Sequence, residues 1–355
     1  MRSLSGRLVS IDLGSRNINL ISGRHKGRLI EVDRALTVPL PENAIKDGRI
    51  EDIYSLKSAL RDAFVKNRIN NRNVVLTIQS TSIITRDIVL PSVKQEDLDT
   101  MVKFEIEQYL PIVASEYAIE YTFLEEFTEE GSKKSRIRVA AMPQSMVDNY
   151  FNLLKEAGLR PVALDIHSNA VSKLFANIIF PEREGGLPAR TYALIDLGHQ
   201  SITVHIFSGG MIDFSRIITL GGMDIDTEIS EAYSLTMDNA EEKKIREGCI
   251  YDGTYESCST DPLAELILGR IDVWIGEIQK IFQYYTSRNT GNRIDSVLLY
   301  GGSSKINNIE ACFEQVLNIS VGRLDLTGSV KTRGKLDSFD TDCFINALGG
   351  IIRYE

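Results

Sequence analysis

The sequence predicts an α/β fold made of two related halves. The stretch "VSIDLGSRNI" (9–18) recurs as "ALIDLGHQSI" (193–202), and in both an apolar run ends in Asp-Leu-Gly. The two aspartates, Asp12 and Asp196, are 196 − 12 = 184 residues apart, which is the size of a domain. A third apolar segment, "SVLLYGGSS", breaks into a glycine turn at 301–302. These observations predict two halves that open with the same strand and turn.

The first half begins with three strand-like segments between residues 7 and 38, namely "RLVSIDLG", "NINLIS" and "RLIEVDRALTV". The next segment, "EDIYSLKSALRDAFVKNR", places Leu56, Leu60 and Phe64 on one face of a helix. The short apolar run "NVVLTI" then predicts a buried strand. We therefore expect residues 1–79 to form a β-β-β-α-β unit.

An inserted unit is predicted over residues 80–158. "SIITRDIVLP" has the pattern of a strand, and a helix is expected to follow it to about residue 109. "AIEYTFLEEF" and "SRIRVAAMP" predict two strands joined by a turn, and the amphipathic segment after them ends at Gly158. This strand-helix-strand-strand-helix order interrupts the first half, which resumes over 159–190.

The second half is predicted over residues 191–340. It offers three strands again, "TYALIDLG", "ITVHIFSGG" and "MIDFSRIITLGG". Helices are expected near 223–234 and 238–248, and a long one over about 262–288. The segment "SVLLYGGSSKI" then predicts a strand, a glycine turn and a helix. Residues 341–355 are expected to form a closing helix that returns to the first half.

Composition limits the class of protein. With 355 residues, 43% of them hydrophobic, the chain is large enough for two domains. The 40 basic and 49 acidic side chains give a formal charge of −9, which argues against general binding to nucleic acid. No stretch has the signal-peptide pattern or approaches the roughly 20 apolar residues needed to span a bilayer. The four cysteines lack metal-ligand spacing and predict reduced thiols. We therefore expect a cytoplasmic protein without direct membrane insertion.

The repeated turn has a chemistry of its own. A strand that ends in Asp-x-Gly and turns into another strand can direct backbone N–H groups toward an anion such as phosphate. The aspartate can hold Mg²⁺ through coordinated water beside that phosphate. A single copy is more often an ordinary hairpin, but two copies in equivalent positions favour a nucleotide site. Asp12 and Asp196 are therefore the predicted metal residues.

These motifs, in this order, resemble those of the actin, Hsp70 and hexokinase superfamily. "IDLGSRNI" is similar to its first phosphate hairpin, "IDLGHQSI" to its second, and "VLLYGGSS" to its adenosine motif. "TLGGMDIDTEI" (219–229) resembles the Gly-Gly turn that follows the second hairpin, and "NAEEKKIREG" (239–248) the helix with a ribose-contacting lysine. The resemblance implies a two-lobed, actin-like fold that binds ATP and Mg²⁺. The nucleotide-binding residues that it implies are Asp12, Gly14, Ser15, Arg16, Asn17, Asn19, Asp196, Gly198, His199, Gln200, Ser201, Gly221, Gly222, Lys244, Gly301, Gly302 and Ser303.

The inserted unit narrows the resemblance further. Its element order and its position after "NVVLTI" are similar to the SHS2-like subdomain 1C of the FtsA and PilM families. FtsA-like chains usually continue to a membrane-targeting helix, whereas "FINALGGIIRYE" resembles the closing helix of PilM. The PilM resemblance implies an ATP-binding component of type IV pilus assembly at the inner face of the cell membrane. It also implies that the insert docks the cytoplasmic tail of a PilN-type membrane protein.

Four residues of the inserted strand and helix are candidates for that docking surface, with ordinary packing or a solvated arginine as the alternative for each: Arg86, Leu90, Phe104 and Tyr109. The insertion could instead stabilise the fold or mediate self-association. Rival functions on the same fold are an FtsA-like division or filament protein and a small-molecule kinase.

Two departures from the superfamily pattern predict slow or absent ATP turnover. Asn19 stands where the first hairpin often has a phosphate-binding lysine, and His199 where the second often has an acid or glycine. The junction "LDIHSNA" offers Asp165 or His167 at the position that often orients attacking water. The sequence does not fix this register. A strand-end cap for Asp165 and a structural histidine for His167 are the alternatives.

Overall fold

The computed structural model describes residues 6–109, 112–179, 190–250, 261–288, 291–326, 328–333 and 339–353, and of residues 95, 96 and 109 only the backbone. The strands are β1 (Leu8–Leu13), β2 (Asn17–Lys26), β3 (Leu29–Pro39), β4 (Ile45–Lys46), β5 (Arg49–Ile50), β6 (Asn73–Ile78), β7 (Ile84–Pro91), β8 (Tyr117–Glu129), β9 (Ser132–Pro143), β10 (Arg160–Ile166), β11 (Thr191–Leu197), β12 (Ile202–Ser208), β13 (Met211–Ile218), β14 (Ser296–Tyr300), β15 (Val321–Arg323) and β16 (Val330–Thr332). The helices are α1 (Ile53–Lys66), α2 (Gln95–Tyr109), α3 (Gln144–Glu156), α4 (His167–Leu174), α5 (Gly222–Tyr233), α6 (Met237–Glu247), α7 (Pro262–Arg288), α8 (Ile309–Leu317) and α9 (Ile345–Ile351).

The chain forms two compact units. The first contains residues 1–40, 69–77 and 165–355, and the second contains 41–68 and 78–164. Both Asp-Leu-Gly hairpins lie in the first unit. The second unit contains the elements of the predicted insert, together with α1 and the small β4-β5 hairpin.

The two Asp-Leu-Gly strands, β1 and β11, occupy equivalent places in two sheets. One sheet has the order β10-β6-β1-β2-β3-β16 and the other the order β13-β12-β11-β14-β15. In both, the Asp-Leu-Gly strand pairs antiparallel with the next strand and parallel with a later one. Asp12 lies opposite Asn19, and Asp196 lies opposite Thr203, so the offset of 184 residues also holds for the partner strand. The predicted α/β fold with a duplicated opening is confirmed.

Helix α7 forms much of the core beside the second sheet. Its buried residues recur at the 3–4 residue spacing of one helical face and include Ile271, Trp274, Ile275 and Ile278. They pack in one hydrophobic cluster with the inward side chains of β11 and β12. This packing fixes β11, and with it the second Asp-Leu-Gly turn, on a rigid support.

The chain returns to the first sheet earlier than the sequence indicates. Strand β16 pairs parallel with β3, with Val330 opposite Ile30. Residues 330–332 therefore belong to the first sheet, although the sequence analysis assigns them to the second half and expects the return at 341. A three-residue strand has too little hydrophobic periodicity to be recognised from sequence alone.

The second unit contains a three-stranded sheet of order β7-β9-β8. Helix α2 packs its apolar side chains, Leu98, Val102 and Ile106, in one core with Ile88 and Ile137 of the sheet. The order β7-α2-β8-β9-α3 is the one that the sequence predicts. Among the described residues, none of the helices is long and apolar enough to cross a membrane.

Candidate nucleotide-binding site

The two Asp-Leu-Gly turns have the same hydrogen bond. The N–H of Gly14 donates to the carbonyl of Asn17 over 3.0 Å, and the N–H of Gly198 donates to the carbonyl of Ser201 over 3.1 Å. A Cβ atom on Gly198 would stand 2.7 Å from that carbonyl oxygen, so the turn requires glycine. The two turns also meet, because the backbone N–H of Gln200 donates to Oγ of Ser15 over 3.2 Å. The two hairpins therefore face each other in this unit.

Asp12 lies at the end of β1 and is almost completely buried. Its Oδ1 accepts a hydrogen bond from the hydroxyl of Thr77 over 3.1 Å. The same oxygen lies 2.7 Å from Nε2 of His167. Thr77 stands opposite Asp12 in the parallel pairing of β1 with β6, which is why its hydroxyl reaches the carboxylate.

Asp196 occupies the equivalent place at the end of β11. Burial raises the pKa of Asp196 to about 7, and the charge of Asp12 adds to this effect, while His167 and a hydrogen bond from Asn346 oppose it. Tyr300 stands opposite Asp196 in the pairing of β11 with β14. Burial, with the two aspartates, raises the pKa of its phenol well above the usual value. Burial therefore disfavours the ionised forms of both side chains.

His167 begins helix α4 and lies between the two hairpins. Its Nε2 faces Asp12, and its Nδ1 lies 3.3 Å from the amide nitrogen of Asn346. Burial lowers the pKa of His167, but the nearby Asp12 carboxylate more than offsets this, so the net shift is upward. Of the two residues that the junction "LDIHSNA" offers, His167 is the one whose side chain lies at the aspartates.

Asp165 is held in a different cluster. Its carboxylate lies 2.6 Å from Nζ of Lys173 and 3.0 Å from the guanidinium of Arg353, and it accepts a hydrogen bond from the amide of Asn169 over 2.7 Å. Lys173 also donates to the carbonyl of Ile352 over 2.9 Å. Asp165 therefore ties α4 to the segment after α9, a structural role that leaves no free carboxylate oxygen for water.

Asn346 is a site residue that the sequence analysis missed. It lies in α9, is 6% exposed, and contacts both His167 and Asp196. The adjacent Gly-Gly pair, 349–350, was the available signal, since paired glycines in a helix often mark close packing.

The Gly-Gly turn before α5 packs against the second hairpin. Gly222 donates its N–H to the carbonyl of Gly198 over 2.9 Å, and Met223 donates to the carbonyl of His199 over 2.7 Å. A Cβ atom on Gly221 would stand 2.4 Å from the His199 carbonyl oxygen. A Cβ atom on Gly222 would stand 2.6 Å from Oγ of Ser303. The turn, the second hairpin and the 301–303 segment are thus close together.

Lys244 projects from α6 into this region and is buried. Its Nζ lies 2.7 Å from Oδ1 of Asp226, which is 1% exposed, and donates to the carbonyl of Gly222 over 3.2 Å. Burial raises the pKa of Asp226 even though Lys244 opposes the shift.

His199, Asp226 and Glu241 bring one potential metal-ligand atom each to within 4.8 Å of one another. Asp226 is already paired with Lys244, and Glu241 lies 2.6 Å from the guanidinium of Arg16. Burial lowers the pKa of His199 to about 4, and the charges of Lys244 and Arg16 add to the effect, so its imidazole is neutral at pH 7. Cations therefore already neutralise both carboxylates of this group.

Arg16 and Asn19 of the first hairpin are engaged within the protein. Arg16 contacts Glu241 and also lies 2.8 Å from Asp238, so it links the first hairpin to α6. The amide of Asn19 donates to the carbonyl of Cys343 over 3.0 Å and accepts from the hydroxyl of Thr37 over 2.9 Å. Asn19 therefore fixes strand β2 rather than offering a charge to phosphate.

The glycine turn after β14 lies directly against Asp196. Gly301 has φ +93, and a Cβ atom on it would stand 2.3 Å from Oδ1 of Asp196. A Cβ atom on Gly302 would meet nothing within 4 Å, so this residue faces open space. The two glycine turns, the two buried strand-end aspartates and the glycine turn at 301–302 are residue types that fit a nucleotide polyphosphate with a divalent cation.

The four candidates for a partner surface differ in accessibility. Arg86 is exposed on β7, and Phe104 is 61% exposed on α2. Leu90 is 1% exposed and packs in the core of the second unit, so it is not available to a partner. The side chain of Leu90 points inward because buried and exposed residues alternate in the second half of β7. The side chain of Tyr109 lies outside the described residues.

Comparison with known proteins identifies the fold. In sequence, the chain is 22% identical over 303 residues to the cell division protein FtsA of Escherichia coli K12, an alignment that spans 74% of this chain and 67% of FtsA. In structure, it superposes on a PilM–PilN type IV pilus biogenesis complex with a TM-score of 0.81, 20% identity and 97% coverage of both chains. It also matches MreB 5 of Spiroplasma citri bound to AMPPNP, with a TM-score of 0.51, 14% identity, and coverage of 97% of this chain and 94% of MreB 5. These likenesses confirm the actin-like fold.

The family follows from a direct match of the sequence. The model of the type IV pilus assembly protein PilM family matches residues 10–347, a range that contains both hairpins, the inserted unit and the 301–303 turn. The chain therefore belongs to the type IV pilus assembly protein PilM family.

Proposed function

We propose that the protein is an ATP-binding component of a type IV pilus assembly complex that docks the cytoplasmic tail of a PilN-type membrane protein. The observation that carries this proposal is the family match over residues 10–347, which includes both Asp-Leu-Gly hairpins of the candidate site. A PilM–PilN complex has the same fold over nearly the whole chain, which supports the choice of partner. Docking to a membrane protein's tail recruits the protein to the inner face of the cell membrane.

The nucleotide lies, in this proposal, against the two hairpins and the 301–303 turn. The glycine turns at Gly14 and Gly198 let the phosphates approach the backbone closely, and Asp12 and Asp196 hold Mg²⁺ through water. Lys244 lies beside the Gly-Gly turn, where the ribose of ATP would sit. The nucleotide analogue bound by MreB 5, which shares the fold, supports ATP as the ligand.

Turnover is expected to be slow or absent. Phosphoryl transfer depends on positioned charge and an oriented water molecule. Asn19 adds no charge to the first hairpin and is held by Cys343 and Thr37. His199, near the second hairpin, is neutral and cannot replace a carboxylate there. His167 is the remaining candidate for orienting water, and its Nε2 is already directed at Asp12.

Calorimetric titration with ATP, in Mg²⁺ and in EDTA, tests nucleotide binding. Asp12→Ala and Asp196→Ala should weaken binding in Mg²⁺ by about 10-fold or more, the order of magnitude for loss of a metal-positioning group. Asp62→Ala is the matched control, because Asp62 forms only an exposed pair with Lys66 on α1. Unchanged ATP affinity in both site variants, with and without Mg²⁺, would contradict nucleotide binding at the two hairpins.

Fluorescence titration with a PilN-type tail peptide tests the partner. Phe104→Ala should weaken binding if the exposed ring on α2 contacts the peptide. Phe123→Ala is the matched control, since Phe123 is a 54% exposed phenylalanine on β8 of the same unit. If ATP alters the peptide affinity, the peptide must alter the ATP affinity by the same factor. Absence of peptide binding under every condition would contradict the docking proposal. Peptide binding that does not change with ATP would contradict only the coupling between the two affinities.

A further inference from the structure

Asn346 links the aspartates of the two hairpins through a short series of side chains. Its amide nitrogen lies 3.3 Å from Nδ1 of His167. Its side chain also interacts with the carboxylate of Asp196 and lowers the pKa of that carboxyl. The other ring nitrogen of His167 lies 2.7 Å from Oδ1 of Asp12. The series Asp12, His167, Asn346 and Asp196 therefore joins β1, α4, α9 and β11 at the centre of the site.

The backbone that carries Asn346 is held closely in place. A Cβ atom on Gly349 would stand 2.1 Å from the carbonyl oxygen of Ala170 in α4. A Cβ atom on Gly350 would stand 2.2 Å from Oγ of Ser10 in β1. Helix α9 can approach both elements this closely only because these two residues lack side chains. The position of Asn346 relative to Asp12 and His167 is therefore fixed by backbone packing.

The chemistry of the amide indicates what it does. An asparagine amide offers two N–H donors and one carbonyl acceptor. The described contacts use the nitrogen, whereas Oδ1 of Asn346 is buried without a hydrogen-bond partner among the described residues. A buried unpaired acceptor destabilises a protein by about 1–3 kcal/mol. Despite that cost, the asparagine places N–H donors between the imidazole of His167 and the carboxylate of Asp196.

We propose that Asn346 is a positioning residue for the Mg²⁺-nucleotide site, holding the Asp196 carboxylate and the His167 ring in the orientation that metal-bound water requires. This inference rests on the proposed nucleotide binding. Donors that orient a metal-holding carboxylate or histidine typically change metal affinity by about 10- to 100-fold when they are removed. Asn346 thereby makes helix α9, near the end of the chain, a part of the nucleotide site.

Calorimetric titration with ATP, in Mg²⁺ and in EDTA, separates a positioning role from a structural one. The variants are Asn346→Asp, which places a negative charge beside Asp196, and Asn346→Ser, which shortens the side chain without adding charge. The matched control is Asn177→Asp, because the Asn177 amide donates to the carbonyl of Lys173 over 2.6 Å, away from the aspartates. Urea unfolding of each variant reports its stability.

We expect the wild type to bind ATP more tightly in Mg²⁺ than in EDTA, and both Asn346 variants to lose about 10-fold or more of that gain while binding in EDTA changes little. The control should keep the full gain. A wild type with a Mg²⁺-dependent gain that the Asn346 variants retain would overturn this inference alone. A wild type that does not bind ATP overturns both this inference and the proposed function. Failure of both Asn346 variants to fold would show a structural role and also overturn the inference.

Discussion

Gly301 and Asp196 lie so close together that a Cβ atom on Gly301 would stand 2.3 Å from Oδ1 of Asp196. Gly301 also has φ +93 and ψ 174, a backbone conformation that is nearly restricted to glycine. The missing side chain therefore provides the space in which the carboxylate of the second hairpin lies. The strand-end glycine turn and the Asp-Leu-Gly turn form one structural element, although about 100 residues separate them in sequence.

Replacement of Gly301 by alanine should disturb this arrangement strongly. The backbone conformation alone costs about 1–3 kcal/mol for a residue with a Cβ atom, and the clash with Asp196 adds to that cost. The Gly301→Ala variant should therefore lose stability to urea and bind ATP more weakly. Gly302→Ala is the control, since its Cβ atom would meet nothing within 4 Å. Equal unfolding midpoints for the two variants would contradict this explanation.

Replacement of Asp165 by asparagine should reduce stability more than it affects the nucleotide. Lys173 and Arg353 would be left without their carboxylate partner, and breaking a buried ion pair typically costs about 3–5 kcal/mol. Urea unfolding measures this loss, and ATP titration of the folded variant should show a smaller effect than His167→Gln. A larger loss of ATP affinity in Asp165→Asn than in His167→Gln would restore Asp165 as the water-orienting candidate.

The stability difference between the wild type and Asp165→Asn should depend on pH. Burial raises the pKa of Asp165, but the charges and hydrogen bonds of Lys173 and Asn169 outweigh it, so the folded-state pKa is lower than in the unfolded chain. The stabilisation that Asp165 provides is then fully present above its unfolded pKa and is lost as the pH falls through the lower, folded value. The stability difference between wild type and Asp165→Asn should therefore shrink in acid. A difference that stays constant from pH 7 to pH 3 would contradict this assignment.

The sequence predicts those parts of the site that depend on local patterns. Asp12 and Asp196 end buried strands that precede a glycine turn, and the pairings of Asp12 with Asn19 and of Asp196 with Thr203 follow from the same hairpin rule. Residues whose role depends on distant packing could not be predicted. Asn346 reaches the aspartates only because α9 packs on α4 and β1, and no periodicity in its own segment indicates that contact.

Two further differences have similar causes. Leu90 carries the pattern of a strand residue, but the sequence does not show which face of that strand is covered until α2 packs on it. Arg16 lies in a turn that suggests phosphate binding, yet its guanidinium contacts Asp238 and Glu241, more than 220 residues away along the chain. Long-range ion pairs of this kind leave no signal in a single sequence.

The buried pair of Lys244 and Asp226 should behave as a unit. Lys244→Met would leave Asp226, which is 1% exposed, without its cation at 2.7 Å, and we expect a loss of about 3–5 kcal/mol. The double variant with Asp226→Asn should recover much of that loss, because a buried ion pair replaced on both sides is often nearly neutral in stability. Urea unfolding of both single variants and the double variant gives the coupling energy. Additive losses would show that the two side chains do not stabilise each other.

Two glycines in helices should respond to alanine in opposite directions. Gly269 is exposed within α7, and a Cβ atom on it would meet nothing within 4 Å. Gly269→Ala should therefore stabilise the protein by about 0.5–1 kcal/mol, because alanine loses less backbone entropy in a helix. Gly349→Ala would instead place its Cβ atom 2.1 Å from the carbonyl oxygen of Ala170 and push α9 away from α4, with an expected loss of about 1–3 kcal/mol or more. Thermal and urea unfolding measure both changes, and ATP titration of Gly349→Ala should show a weakened Mg²⁺ dependence, since Asn346 moves with α9. Stabilisation by both substitutions would show that the close contact between α9 and α4 does not exist in solution.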